Sequence, residues 1–158
     1  SNLPHVILRP TITYGRDDDG FIPKLISMVS AGYFVLSRSA VFIHLLDVQS
    51  FANLILKIIE QKLINRNSYI VADHQPVALA ELVRMIKTNT SGNYVKLPGF
   101  VFALAEKLLK LAGKSGLLTS VQLISKNWTY DIKKTVSELN YEPSETLDVI
   151  KKLTGETH

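Results

Sequence analysis

The stretch from His5 to Gly15 reads HVILRPTITYG, and its reading decides the fold. Val6, Ile7 and Leu8 form a continuous apolar run with two β-branched members, the pattern of a strand buried on both faces. Arg9-Pro10 is expected to stop the run, because proline has no N–H to give to a ladder and fixes its own φ. Thr11-Ile12-Thr13-Tyr14-Gly15 then reads as a polar turn. A buried strand that ends abruptly in a turn is where open α/β sheets place ligands. Such a strand needs neighbours, and none precedes it in these 158 residues.

Composition narrows the classes. A chain of 158 residues, 46% hydrophobic and 20% charged, can bury the core of one globular domain. It has no cysteine, which excludes disulfides and thiolate metal sites and fits a reducing, cytoplasmic setting. No basic-then-apolar leader precedes the first strand, so secretion is not expected. No apolar run reaches the roughly 18–20 residues of a membrane span, and membrane contact is not expected. The net charge of +4 comes from scattered lysines, with doublets only at Lys133-Lys134 and Lys151-Lys152 and no arginine after Arg84. That is a solvated surface, not a nucleic-acid footprint.

Further along, Asp17-Asp18-Asp19-Gly20 lacks the ligand spacing of an EF-hand and reads as a solvated turn and helix N-cap. Ile22, Leu25, Ile26 and Val29 share a helix face from Phe21 to Ala31, with Pro23 in the first turn and Gly32 as the stop. Tyr33–Leu36 and Val41–Leu45 read as strands. Asp47 suits the N-cap of a helix whose wide stripe (Val48, Phe51, Leu54, Ile55, Ile58, Ile59, Leu63) predicts deep burial. Ser68–Ala72 is another strand, residues 78–87 a helix and Tyr94–Leu97 a short strand. The most apolar helix runs from Gly99 to Ala112, and a further helical stretch covers Leu117–Lys126. Asn127–Asp131 looks like a strand, and helices to Leu139 and from Ser144 to Leu153 close the chain. Strands alternating with helices argue for α/β, yet the long strands are too few for a free-standing doubly wound sheet.

Chemical motifs are sparse. Gly113-Lys114-Ser115 echoes the end of a phosphate loop, but Leu108 stands where its first glycine belongs. His44 has no second histidine or serine elbow near it in sequence and reads as a hydrogen-bonded structural residue. Tyr130 and Lys134 have the YxxxK spacing but follow no nucleotide-binding strand, so a chance match is the better reading. No metal-ligating set is found.

Taken in order, these segments resemble the C-terminal half of the extended short-chain dehydrogenases/reductases, the NAD-dependent epimerase/dehydratases. LRPTITYG is similar to that family's LRPxxxYGP at the end of the sixth sheet strand, and FIPKLISMVSAG to its iPxlixxixxG helix. FIHLLDVQSFANLI, SYIVADHQPVALAELVRMI and YDIKKTVSELNYEP follow in the family's order and spacing. The resemblance implies an α/β fold: a C-terminal substrate-binding domain, with residues 5–15 and about 48–72 belonging to the edge of an NAD(P)-binding Rossmann domain. It implies that the nucleotide-binding glycines and the catalytic Ser/Thr, Tyr and Lys lie in an N-terminal half outside these residues. No catalytic residue is then expected here, and the chain alone should be inert.

The same resemblance places Pro10, Thr11 and Ile12 on the side of the cofactor, NAD or NADP. It sets Tyr14, Phe21, Ala40, His44 and Phe100 around the pocket of a small-molecule substrate. Sugar-nucleotide members carry Asn where this chain has Ile12 and Arg where it has Ala40, and a second diphosphate arginine is missing too. Without arginines a diphosphate loses its charge-assisted bonds. An uncharged, hydrophobic alcohol is the better expectation, as in the branch related to hydroxysteroid dehydrogenases and flavonoid reductases. Two further expectations follow. The strands Val6–Leu8 and Tyr69–Val71 should seek partners, giving a homo-oligomer or strand-exchanged dimer. The rival reading is a non-enzymatic module that binds a protein or membrane surface through helix 99–112.

Overall fold

The computed structural model describes residues 5–16 and 19–155. In chain order the elements are β1 (Ile7–Pro10), β2 (Ile12–Tyr14), α1 (Phe21–Ser30), β3 (Phe34–Ser37), β4 (Phe42–Ile43), β5 (Leu45–Asp47), α2 (Val48–Gln61) and β6 (Ser68–Val71). There follow β7 (Val77–Ala78), α3 (Leu79–Thr90), β8 (Tyr94–Leu97), α4 (Gly99–Leu111), α5 (Ser115–Ser125), α6 (Lys133–Leu139) and α7 (Thr146–Gly155). The chain forms two compact units and changes from one to the other after Ile22, Ile43, Pro76 and Trp128.

The first unit holds β1, β2, β5 and β6 with α2, α6 and α7. Its pairs are parallel: β1 with β6 in the register Ile7↔Ser68 to Pro10↔Val71, and β2 with β5 from Ile12↔Leu45 to Tyr14↔Asp47. Parallel neighbours need a long crossover, and the alternation of strand and helix supplies it. The core joins Leu46, Leu54, Ile58, Tyr69, Val71, Leu139 and Tyr141, with Val6, Leu8, Phe51 and Leu63 packed at its margin. Asp47 caps α2 as its residue type predicts, accepting from the N–H groups of Gln49 and Ser50.

In the second unit β3 runs parallel to β8, and the short β4 lies antiparallel to β7. Leu25, Val29, Phe34, Leu36, Leu79, Leu82, Val83 and Ile86 are buried there. Gly32 ends α1 with φ +77°, a conformation glycine adopts without the Cβ penalty. Gly92 has a different reason: a Cβ there would come 2.3 Å from the Val29 carbonyl oxygen, which accepts the Asn93 N–H at 2.9 Å.

Several expectations are corrected. Val6–Leu8 is not buried on both faces: β1 has β6 as its partner, and Ile7 is 44% exposed. The stop expected at Arg9-Pro10 holds: β1 ends at Pro10, in the last ladder position, which can do without a donor. Residues 12–14, read as a turn, form β2. The strand expected over Val41–Leu45 breaks at His44 into β4 and β5. On α2, Leu54 and Ile58 are buried, while Val48, Ile55 and Ile59 stand out, so part of the apolar stripe is uncovered. Residues 127–131 give one bridge, Ile43↔Trp128, and no strand. Tyr130 lies ahead of α6, so the YxxxK pair shares no helix face. Of the acidic triplet, Asp17 and Asp18 lie outside the described residues.

Candidate functional site

In the first unit the carboxyl ends of several strands converge. Thr11 separates β1 from β2: its N–H still donates to Val71 beside β1's partner, and one residue later the chain has joined β5. Tyr14 ends β2, Asp47 ends β5, and Asp73 stands two residues past β6. The last residues of β2 and β5 and the residue two past β6 thus meet in one place, the position where α/β sheets gather functional groups.

Asp73 is the hub. It is fully buried, and its carboxylate accepts from the Tyr14 hydroxyl at 2.7 Å, the Thr146 hydroxyl at 2.5 Å and the Asp47 N–H at 2.9 Å. Its backbone is equally committed, the N–H to Leu45 O at 2.8 Å and the carbonyl to His44 Nε2 at 2.8 Å. His44 Nδ1 accepts from the Tyr130 N–H at 3.3 Å, which puts the ring proton on Nε2, the atom that donates to Asp73. A second layer runs through Asp47, which takes the Ser144 hydroxyl at 3.1 Å, while Ser50 donates to Ser144 at 2.6 Å.

Electrostatics follow from this crowding. Burial pushes the Asp73 carboxyl above the usual aspartate range, against the pull of its Thr146, Asp47 and Tyr14 hydrogen bonds. Burial first, and then the Asp73 charge, raise the phenols of Tyr14 and Tyr141 well above the ordinary tyrosine value. Among the described residues the buried hydroxyls Thr11 Oγ1 and Tyr141 Oη have no hydrogen-bond partner. Among the described residues no group of three or more His, Asp or Glu side chains is arranged to hold a metal.

The residues singled out from the sequence divide by unit. Tyr14 is 1% exposed with its hydroxyl on Asp73, and His44 is 1% exposed with both ring nitrogens bonded. Neither ring is open to a ligand; both hold the hub in place. Pro10 is exposed, Thr11 and Ile12 are half-buried beside it, and Phe21 is half-buried at the start of α1. In the second unit Ala40 is exposed on the turn before β4, and Phe100 is 71% exposed in the first turn of α4. That turn approaches the Ala40 segment, since a Cβ on Gly99 would lie 3.1 Å from Ser39 Oγ.

Sequence reasoning missed Asp73, Ser144 and Thr146. The only signal was an aspartate directly after an apolar strand, SYIVA; nothing local announces that its partners lie 59 and 73 positions away.

Solved structures with this fold are numerous. The chain aligns with gox2253 at 18% identity and TM-score 0.69, over 95% of this chain and 48% of that one. It aligns with a UDP-glucose 4-epimerase of Thermotoga maritima, solved with UDP-glucose, at 15% identity and TM-score 0.65, over 98% and 45%. A dTDP-glucose 4,6-dehydratase of Bacillus anthracis, solved with NAD, matches at 12% identity and TM-score 0.64, over 95% and 43%. No family model and no curated relative matches the chain. The chain therefore has the α/β fold of one part of these structures, and it spans just under half the length of the chains it matches.

Proposed function

We propose that these residues form the substrate-side part of an NAD(P)-dependent enzyme that epimerises, dehydrates or oxidises an alcohol carbon. The observation that carries the reading is the orphaned Thr11 hydroxyl at the carboxyl end of β1. A buried hydroxyl without a partner costs about 1–3 kcal/mol, and a ligand group that answers it recovers that cost. Hydroxyls both donate and accept, so Thr11 suits a carboxamide, with Pro10 and Ile12 offering apolar flanks. The residues present therefore fit the nicotinamide end of a dinucleotide, which when bound takes up or returns a hydride. What this chain does is positional: the bonds of Asp73 to Tyr14 and Asp47 tie the ends of β2 and β5 together and hold the Thr11 corner fixed.

No glycine-rich phosphate loop occurs in the sequence, so most cofactor contacts must come from other residues. Thr11→Ala, made in the longest natural chain that carries this sequence, should weaken NAD(P)H about 3- to 10-fold by fluorescence titration, the worth of one hydrogen bond. The 158 residues alone should turn over no NAD(P)H. Turnover by the isolated chain, or unchanged affinity in the variant, would sink the proposal.

For the substrate, the nucleotide-sugar enzymes among the structural neighbours favour a sugar diphosphate. Ile12 and Ala40 favour a less charged alcohol, because neither can bond a diphosphate oxygen. We take the residues of this chain as the better guide. Screening the full-length enzyme against nucleotide sugars and hydrophobic alcohols by NAD(P)H absorbance decides between them.

Association follows from the sheet. Among the described residues β1 pairs with β6 alone, and an open strand edge is a template for another chain. The isolated chain should scatter light as a dimer, about twice its 17.6 kDa, at concentrations of roughly 0.1 mM. A monodisperse monomer counts against edge pairing.

A further inference from the structure

Beyond Phe100, which the resemblance sets beside the substrate pocket, the outer face of α4 has no part in the proposed function. Phe100, Leu104, Leu108 and Leu111 follow one another at helical spacing, so they share one side of the helix, and they are 71, 56, 57 and 79% exposed. Leu117, in the first turn of α5, is also exposed. A single exposed leucine needs no explanation, but a stripe three turns long does.

The charges around the stripe say what covers it. Between Asn93 and Trp128 the only acid is Glu106. It is buried between α4 and α5, bonded to Lys126 at 2.8 Å, Ser125 at 3.2 Å and Gln122 at 3.3 Å, and those bonds, Lys126 first, hold its carboxyl below the ordinary glutamate range. Lys107 is exposed beside the stripe, Lys110 is exposed on the flank of α4 one turn after Glu106, and Lys114 is exposed at the corner into α5. The helical pair thus shows solvent apolar and cationic groups and no carboxylate. The uncovered apolar residues of α2 differ, because an exposed Glu60 lies among them, directly after Ile59.

We propose that α4 lies flat on an anionic lipid surface, its Phe/Leu stripe in the acyl boundary and its lysines among the headgroups. A continuous stripe on a convex helix needs no groove to receive it, and lysines snorkel from an apolar face to the phosphate layer. No helix among the described residues is long and apolar enough to cross a membrane, so the contact is peripheral. It does not depend on the enzymatic reading, since it uses neither Thr11 nor the Asp73 hub.

The test is co-sedimentation of the 158-residue chain with vesicles of phosphatidylcholine alone or with about 30% phosphatidylglycerol, at about 0.1 M salt. Binding should favour the anionic vesicles at least about tenfold. Lys107→Ala with Lys110→Ala should weaken it about 30-fold, since each basic residue near the surface is worth about fivefold. Leu104→Ser with Leu108→Ser should weaken it at least about a hundredfold through lost apolar burial. All four side chains are exposed, so circular dichroism should be unchanged and a folding defect is separable. Equal binding to both vesicles, no binding to either, or binding to soluble polyglutamate but not to vesicles overturns the proposal. So does a dimer that only the leucine variant disperses, which would give the face to a second copy.

Discussion

Asp73→Ala should cost the chain about 3–5 kcal/mol of folding stability, enough to unfold much of it at 37 °C if its total lies near the low end, about 5 kcal/mol, of the ordinary range. The reason is the number of donors left without an acceptor. Tyr14, Thr146 and the Asp47 N–H all point at one fully buried carboxylate, and alanine answers none of them. Each orphaned donor costs about 1–3 kcal/mol, offset in part because a buried carboxylate is no longer held out of water. Asp73→Asn separates the two effects. Its Oδ1 can keep the Asp47 N–H, while its amide nitrogen meets two hydroxyls that must turn to accept, so the expected loss is about 1–2 kcal/mol. Urea unfolding followed by circular dichroism at neutral pH measures both. Equal losses for alanine and asparagine would mean that packing, not hydrogen bonding, fixes the hub.

The result bears on function through geometry. Tyr14 closes β2, Asp47 closes β5 and caps α2, and Thr146 opens α7, so a single carboxylate ties three segments far apart in sequence. Loosening it should move the Thr11 corner even if the chain still folds, because β2 begins one residue after Thr11. On the proposed reading that corner faces the cofactor, and a shift of about 1 Å there is costly. On the same proposed reading, Asp73→Asn in the longest natural chain carrying this sequence should therefore weaken NAD(P)H along with stability.

Much of the fold is legible in residue order because local rules and tertiary structure agree there. Pro23, the Ile22/Leu25/Val29 spacing and Gly32 bracket α1, and Asp47 caps α2 through its own side chain. Legibility fails where burial is decided at a distance. The run Val6–Leu8 looks two-sided, yet β1 has one neighbour among the described residues. Apolar periodicity says which face of α2 is greasy and not whether anything covers it; Leu54 and Ile58 are buried, whereas Ile55 and Ile59 are not. His44 is the instructive site residue. Its isolation from other catalytic types marked it as structural, and its two bonded nitrogens agree. What the sequence hid is the group it serves, the backbone carbonyl of an aspartate 29 positions on.

On the alkaline side the chain should lose stability steeply above pH 10, by about 2.7 kcal/mol for each further pH unit, the linkage slope of two tyrosines. Tyr14 and Tyr141 are 1% and 4% exposed, and both phenols are raised above the model-compound value of 10.0. In the unfolded chain they ionise near that ordinary value, while in the folded chain they stay protonated. The unfolded state then binds fewer protons, so stability is whole below pH 10 and falls as the pH climbs toward the folded values. Asp73 has the same sign lower down. Its raised carboxyl makes the folded state keep a proton that the unfolded state releases, so stability declines as pH rises from the ordinary aspartate value of 3.8 to the higher folded one. The profile should tilt toward acid, opposite to a fold held by carboxylates with depressed pKa. Urea midpoints from pH 5 to 11 measure it, with tyrosinate absorbance at alkaline pH as a second probe. Tyr14→Phe removes one ionising phenol, so it should cost about 1 kcal/mol at neutral pH through the lost bond to Asp73 and halve the alkaline slope. A flat profile from pH 9 to 11, or a tyrosinate signal from Tyr14 that rises while the chain is still folded, would show that water reaches the phenol and that the Asp73 hub is open.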